Sequence, residues 1–93
     1  MPAQEDNVAK IEDHRAQIDA IDRQLVDLLN RRAEQSLAIR ELKPGAHMGL
    51  FDPRREEEIF ERVRSYNDGP LYDDNLREIY SAILKVMKEV PAR

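Results

Sequence analysis

The sequence has no cysteine and no tryptophan, only 3 glycines, and just 5% aromatic residues among 93 positions. Without thiols there are no disulfides, no thiolate metal ligands and no cysteine nucleophile. With 2 histidines, an all-protein zinc site lacks its donors. The longest apolar runs are three residues, as in Ala82 to Leu84, far short of a membrane span. An excess of positive charge is missing as well. Against 15 Lys+Arg stand 19 Asp+Glu, for a net charge of -4, which argues against a general nucleic-acid binder but not against a small basic pocket. The opening Met-Pro-Ala-Gln-Glu-Asp-Asn lacks the basic and apolar regions of a secretory signal. A cytoplasmic protein is the expectation.

What is present is charge, at 37% of residues, arranged around helical apolar stripes. The length fits one domain over residues 1–93, with polar residues 1–7 expected to be disordered. From Val8 to Lys43 there is neither proline nor glycine. Ile11, Ile18, Leu25 and Ile39 fall in one heptad position, and Ile21, Leu28 and Leu42 in the position three residues later. That is the a/d pattern of a helix packed along its length on other helices. About 36 residues give a rod of roughly 54 Å, whereas a 93-residue globule has a radius of gyration of only about 12–13 Å. The remaining chain cannot cover such a helix, so a partner chain is expected.

Pro44-Gly45 stops this helix, and residues 44–51 read as a loop. Asp52-Pro53 opens a second helix as N-cap and first helical residue, with Ile59, Phe60, Val63 and Tyr66 as its stripe. Asn67-Asp68-Gly69-Pro70 is a turn. A third helix starts near Asp73 or Asp74, carries Leu76, Ile79, Tyr80, Ile83, Leu84, Met87 and Val90 on one face, and ends before Pro91. No segment alternates strictly, so the fold class is all-α with three helices.

Candidate functional residues are those that break the helical pattern. Arg32 takes an a position on the apolar stripe, where a guanidinium must be paired or face a polar cavity. Arg15 and Lys43 share the neighbouring e position, which more often carries pairing charges between helices. They lie roughly 42 Å apart along one helix and cannot serve one small ligand within one chain. An antiparallel partner helix would bring Arg15 of one chain toward Arg32 and Lys43 of the other. Three cations suit a ligand with two carboxylates, which arginine reads with paired hydrogen bonds. In Phe51-Asp52-Pro53-Arg54-Arg55-Glu56-Glu57-Glu58, the acidic residues favour a helix start. The arginines oppose it, so Arg55 or Glu56 turned toward the pocket would add a cation or a hydroxyl acceptor. His14, in a d position, reads as a helix contact and His47 as a solvated loop residue. No nucleophile motif, phosphate loop or metal-ligand spacing is present, so any chemistry rests on positioning and electrostatics.

These residues together resemble the all-helical chorismate mutase family, the AroQ type. The resemblance covers about residues 8–90 and rests on Arg15-Ala-Gln-Ile-Asp-Ala-Ile-Asp22, Leu28-Leu29-Asn30-Arg31-Arg32, Lys43, Phe51-Asp52-Pro53-Arg54-Arg55-Glu56 and Asn67-Asp68-Gly69-Pro70. It implies an intertwined homodimer of three-helix chains with two sites. It also implies the Claisen rearrangement of chorismate to prephenate on the route to phenylalanine and tyrosine, with no cofactor and no metal. By resemblance, Arg15 from the partner chain and Arg32 bind the substrate carboxylates. Lys43 donates to the ether oxygen and one carboxylate, Asp52 and Glu56 contact the ring hydroxyl, and Arg55 completes the lining.

The third helix departs from the family pattern. Members commonly carry a Ser near its end and a Gln four residues later. Here Met87, at the Ser position, would line the substrate, and Pro91 takes the place of the Gln. Sliding the helix by a turn puts Ile83 and Met87 there instead. Loss of one transition-state donor typically costs about 2.7–4 kcal/mol, so a slow enzyme is expected. Lys88 is a candidate replacement donor. Two alternatives stay open: an enzyme like the isochorismate pyruvate-lyases, and a non-catalytic helical dimer that binds a carboxylate metabolite or a protein partner.

Overall fold

The computed structural model describes residues 2–42 and 52–91 of the chain. The described residues form three helices, α1, Pro2–Leu42; α2, Pro53–Tyr66; and α3, Asp73–Glu89, and no strand. The chain divides into two compact units, Met1–Arg32 and Ala33–Arg93. None of the helices among the described residues is long and apolar enough to cross a membrane.

α1 begins at Pro2, ahead of the expected start at Val8. Proline suits a first helical position, because its missing N–H would have no partner there and its φ is already helical. Residues 2–7 are therefore helical rather than disordered. In the Met1–Arg32 unit the apolar stripe has little cover: Ile11, Ile18, Ile21, Leu25 and Leu28 are each 49–54% exposed.

The Ala33–Arg93 unit holds the buried side chains: Leu37 on α1, and Leu84 and Met87 on α3. Around them the half-buried positions follow helical spacing. They are Ala33, Ser36 and Arg40 on α1, Glu56, Ile59, Phe60 and Val63 on α2, and Leu76, Tyr80, Ile83 and Lys88 on α3. Taken with the buried Leu37, Leu84 and Met87, every position has a neighbour in its set three or four residues away, the period of one helix face. Two expected stripe members point elsewhere. Tyr66 is 74% and Ile79 46% exposed, because the face that packs on α2 and α3 is narrower than their apolar composition suggests.

α2 starts as its sequence predicts. Asp52 is extended, and its carboxylate accepts a hydrogen bond from the Arg55 N–H at 3.2 Å, with Pro53 as the first helical residue. The Asp52 carbonyl accepts from the Glu56 N–H at 3.0 Å. At the other end Asn67 organises the turn into α3. Its side-chain oxygen accepts from the Gly69 N–H at 3.0 Å, and its amide nitrogen donates to the Leu71 carbonyl at 2.9 Å and to Asp73 at 2.8 Å. Gly69 has φ +81° and precedes a cis Gly69–Pro70 bond, a backbone conformation that excludes most side chains. α2 and α3 are further tied by Arg77. It donates to Glu57 at 2.8 Å and stacks its guanidinium 4.1 Å from the centre of the Phe60 ring.

The end of α1 meets the end of α3 through Arg40. Its Nη1 donates to the Val90 carbonyl at 2.6 Å, and its Nη2 to those of Met87 at 3.0 Å and Lys88 at 3.3 Å. The last carbonyls of a helix lack intrahelical donors and carry the negative end of its dipole. A guanidinium fork satisfies several at once.

Candidate functional site

The candidate residues fall into two groups, one in each unit. In Met1–Arg32, Arg15 lies on the surface of α1 and pairs with Glu12 at 3.1 Å. Such exposed i,i+3 pairs contribute only about 0.2–0.5 kcal/mol, so an incoming carboxylate can displace Glu12 at little cost. Arg32 is different. It is half-buried on the stripe and has no hydrogen bond or ion pair among the described residues. Its neighbour Arg31 takes Asp27, at 3.9 Å. A partly desolvated guanidinium with no partner among the described residues has its N–H donors to offer an anion. Arg15 and Arg32 stand on one helix roughly 25 Å apart, so α1 of one chain does not bring them together.

The second group surrounds the start of α2 and the end of α3. Asp52 uses one carboxylate oxygen for the helix cap. Arg55, about half exposed, lies 3.7 Å from Glu58. The three consecutive glutamates go three ways. Glu58 faces Arg54 and Arg55, Glu57 takes Arg77, and Glu56 turns inward to Lys88, with Oε2 2.6 Å from Nζ. The hydrogen bond with Glu57 raises the Arg77 pKa above its already high value, so that guanidinium stays charged. Met87, expected to line substrate, is one of the buried side chains of this unit, as are Leu84 and Leu37. Pro91 lies beyond the end of α3 at Glu89. Lys88 is engaged with Glu56. Lys43, with the rest of residues 43–51 including His47 and Phe51, lies outside the described residues.

Two features escaped the sequence reading. Leu37 occupies an outward heptad position yet is buried, and Arg40, three residues before Lys43, caps α3 from a distance of about fifty residues along the chain. The spacing of Ala33, Leu37 and Arg40, at i, i+4 and i+7, carried the signal for a second packing face.

With this geometry in place, comparison with known proteins is direct. Residues 14–91 match the family model described as chorismate mutase type II. The chain belongs to that family. The matched span takes in every candidate residue, from Arg15 to Met87. Two curated relatives are bifunctional chorismate mutase/prephenate dehydratases. The one from Neisseria gonorrhoeae is 38% identical over 72 residues, covering 76% of this chain and 19% of the relative. The one from Aquifex aeolicus is 34% identical over 89 residues, covering 87% of this chain and 25% of the relative. The chain thus spans about a fifth to a quarter of the length of these relatives.

Proposed function

We propose that this chorismate mutase type II chain catalyses the rearrangement of chorismate to prephenate in aromatic amino-acid biosynthesis, as a cytoplasmic homodimer. The observation that carries the reading is Arg32: within a family-matched span, a half-buried guanidinium sits on an apolar stripe with no anion of its own among the described residues. A substrate carboxylate supplies the missing charge. The rearrangement is pericyclic, so the protein has two tasks. It holds the flexible substrate in its compact chair-like conformer, and it stabilises the negative charge that grows on the breaking ether oxygen.

The residues divide these tasks. Arg15 from the partner chain and Arg32 hold the two carboxylates. Lys43 donates to the ether oxygen and to one carboxylate. Asp52 and Glu56 receive the ring hydroxyl, Arg55 completes the positive lining, and Met87 lies beneath the substrate. Neither register of α3, with Pro91 or with Met87 at the position where the family commonly carries Gln, supplies that donor, so Lys43 is the main ether-oxygen donor and the rate is lower for it.

The homodimer is supported by what each face of α1 touches. Ala33, Leu37 and Arg40 pack within their own unit, while Ile11, Ile18, Ile21, Leu25, Leu28 and Ile39 remain about half exposed. An apolar stripe of that length needs a cover, and a second α1 matches it in period.

The direct test is loss of chorismate absorbance with purified protein, followed by identification of the product. Prephenate is expected. Turnover of isochorismate to pyruvate, with chorismate untouched, would assign the lyase reaction instead. Binding of chorismate without conversion would make the chain a metabolite-binding dimer.

A further inference from the structure

Glu56 stands on the inward face of α2, in line with Ile59, Phe60 and Val63. Its partner Lys88 stands on the inward face of α3, next to buried Met87. The two side chains are 24% and 32% exposed, against 59% and 52% for the Glu57–Arg77 pair that spans the same two helices. An ion pair withdrawn from water gains less than its geometry suggests, and apolar residues of the same volume would hold two helices at least as well. A tie between α2 and α3 is moreover already made by Arg77. The Glu56–Lys88 pair is therefore poorly explained by stability alone.

Its atoms point to another use. Lys88 engages Oε2 of Glu56 at 2.6 Å. Oε1 has no hydrogen-bond partner among the described residues. An ionised carboxylate accepts at both oxygens, so one is held and the other is available. Lys88 is itself held. Arg40 of α1 grips the carbonyls of Met87, Lys88 and Val90, fixing the helix end from which the lysine projects. A continuous set of polar contacts runs from the end of α1, through the last turn of α3, to the carboxylate on α2.

We propose that Lys88 is a positioning residue: it holds one oxygen of Glu56 so that the other meets the substrate's ring hydroxyl, and Arg40 fixes the helix end that carries Lys88. This rests on the reading of Glu56 as hydroxyl acceptor. A free glutamate would sample several rotamers, and binding would have to select one. The lysine selects it before substrate arrives, which is preorganisation. It also makes the site specific for a ring that carries the hydroxyl, because a held and unpaired carboxylate oxygen is penalised when an analogue lacks the donor.

The experiment compares two substrates: chorismate, and its analogue with hydrogen in place of the ring hydroxyl. The wild-type chain, Lys88→Met, Lys88→Arg, Arg40→Met and Glu56→Gln are assayed on both, with circular dichroism recorded for each. Lys88→Met should lower kcat/KM for chorismate about 10-fold while leaving the analogue within about two-fold of wild type. Lys88→Arg should recover most of the loss, and Arg40→Met should show the same substrate dependence at smaller size. If Lys88→Met does not fold, Lys88→Leu, which likewise offers Oε2 no donor, carries the test with the same expectation. Equal losses on both substrates would overturn the proposal, since a merely structural residue does not sense the hydroxyl. A full response to Glu56→Gln with none to Lys88→Met would overturn it while leaving the role of Glu56 standing. No response to Glu56→Gln, or no turnover of chorismate by the wild type, would remove the reading beneath it and the proposal with it.

Discussion

Along α1, the side chains up to Arg32 and those after it have different surroundings. In residues 6–30 every side chain is exposed, including five a/d apolar residues. From Ala33 to Arg40 one face sinks into the core with α3, burying Leu37 to 8% exposure and leaving Ile39 at 51%. The a/d stripe resumes at Ile39 after Arg32 and Gln35 interrupt it, but the face that packs between Ala33 and Arg40 is a different one. A helix therefore distributes two jobs by angle rather than by sequence segment. The angle that carries Ala33, Leu37 and Arg40 builds the chain's own core. The angle that carries Ile11 to Ile39 stays about half exposed, the face that the proposed dimer would cover.

Breaking one face at a time separates these jobs. The largest effect is expected on the open stripe. Ile18→Asp with Leu25→Asp places two carboxylates in each chain where two copies would meet. The dimer should dissociate and activity should vanish. Light scattering should move from about twice 10.9 kDa to that mass or to unfolded chain. A folded dimer that survives both substitutions would show that this stripe is not the interface.

Next in size is the inner face. Leu37→Ala removes buried side-chain volume from the core and should cost about 2–5 kcal/mol of stability, read by urea denaturation. The same change at Ile39, half exposed in its own chain, measures what the partner contributes. If Ile39→Ala is nearly silent at high protein concentration, the partner does not cover that position.

Arg32→Ala sharpens the comparison at the point where the two stretches meet. Alanine suits a helix, so circular dichroism should be unchanged. Loss of a charge-assisted carboxylate contact should cost at least about 2 kcal/mol in transition-state binding, read as kcat/KM. Unchanged kinetics would make Arg32 a structural residue. Arg15→Ala and Lys43→Ala should each be nearly inactive alone. Mixed dimers of the two should recover up to one working site, because one pocket then keeps both residues. If subunit exchange restores nothing, the site is not shared between chains.

The legibility of the chain follows the range of each interaction. The start of α2 was plain because Asp52 and Pro53 act on their immediate neighbours, and the helical periods of α2 and α3 were plain for the same reason. The inward set was harder. Leu37 looks like an outward residue when only the heptad is counted, since the heptad describes the a/d stripe and not the face turned to α3. Arg40 gives no local sign at all, because its acceptors are backbone carbonyls on another helix. The direction of Glu56 among three glutamates was open until Lys88 chose it. Tyr66 and Ile79 were read as inward because apolar composition does not specify how wide a contact face is.

The smallest effect concerns Asp52, which the structure uses as a cap and the family resemblance uses as a substrate contact. The two roles make different demands on one side chain. As a cap it needs only an oxygen that accepts from the Arg55 N–H, and asparagine supplies that as well as aspartate does. Asp52→Ala should therefore cost about 1 kcal/mol of stability, and Asp52→Asn only a few tenths, felt through the lost interaction with the helix dipole. Activity then decides the second role. If the carboxylate receives the ring hydroxyl, Asp52→Asn should lower kcat/KM while stability holds, because a neutral amide oxygen is the weaker acceptor. If activity follows stability in both variants, Asp52 serves the site only by starting α2 where it does, and so by placing Arg55 and Glu56 one turn later. Thermal melts and kinetics on the same two preparations distinguish these outcomes.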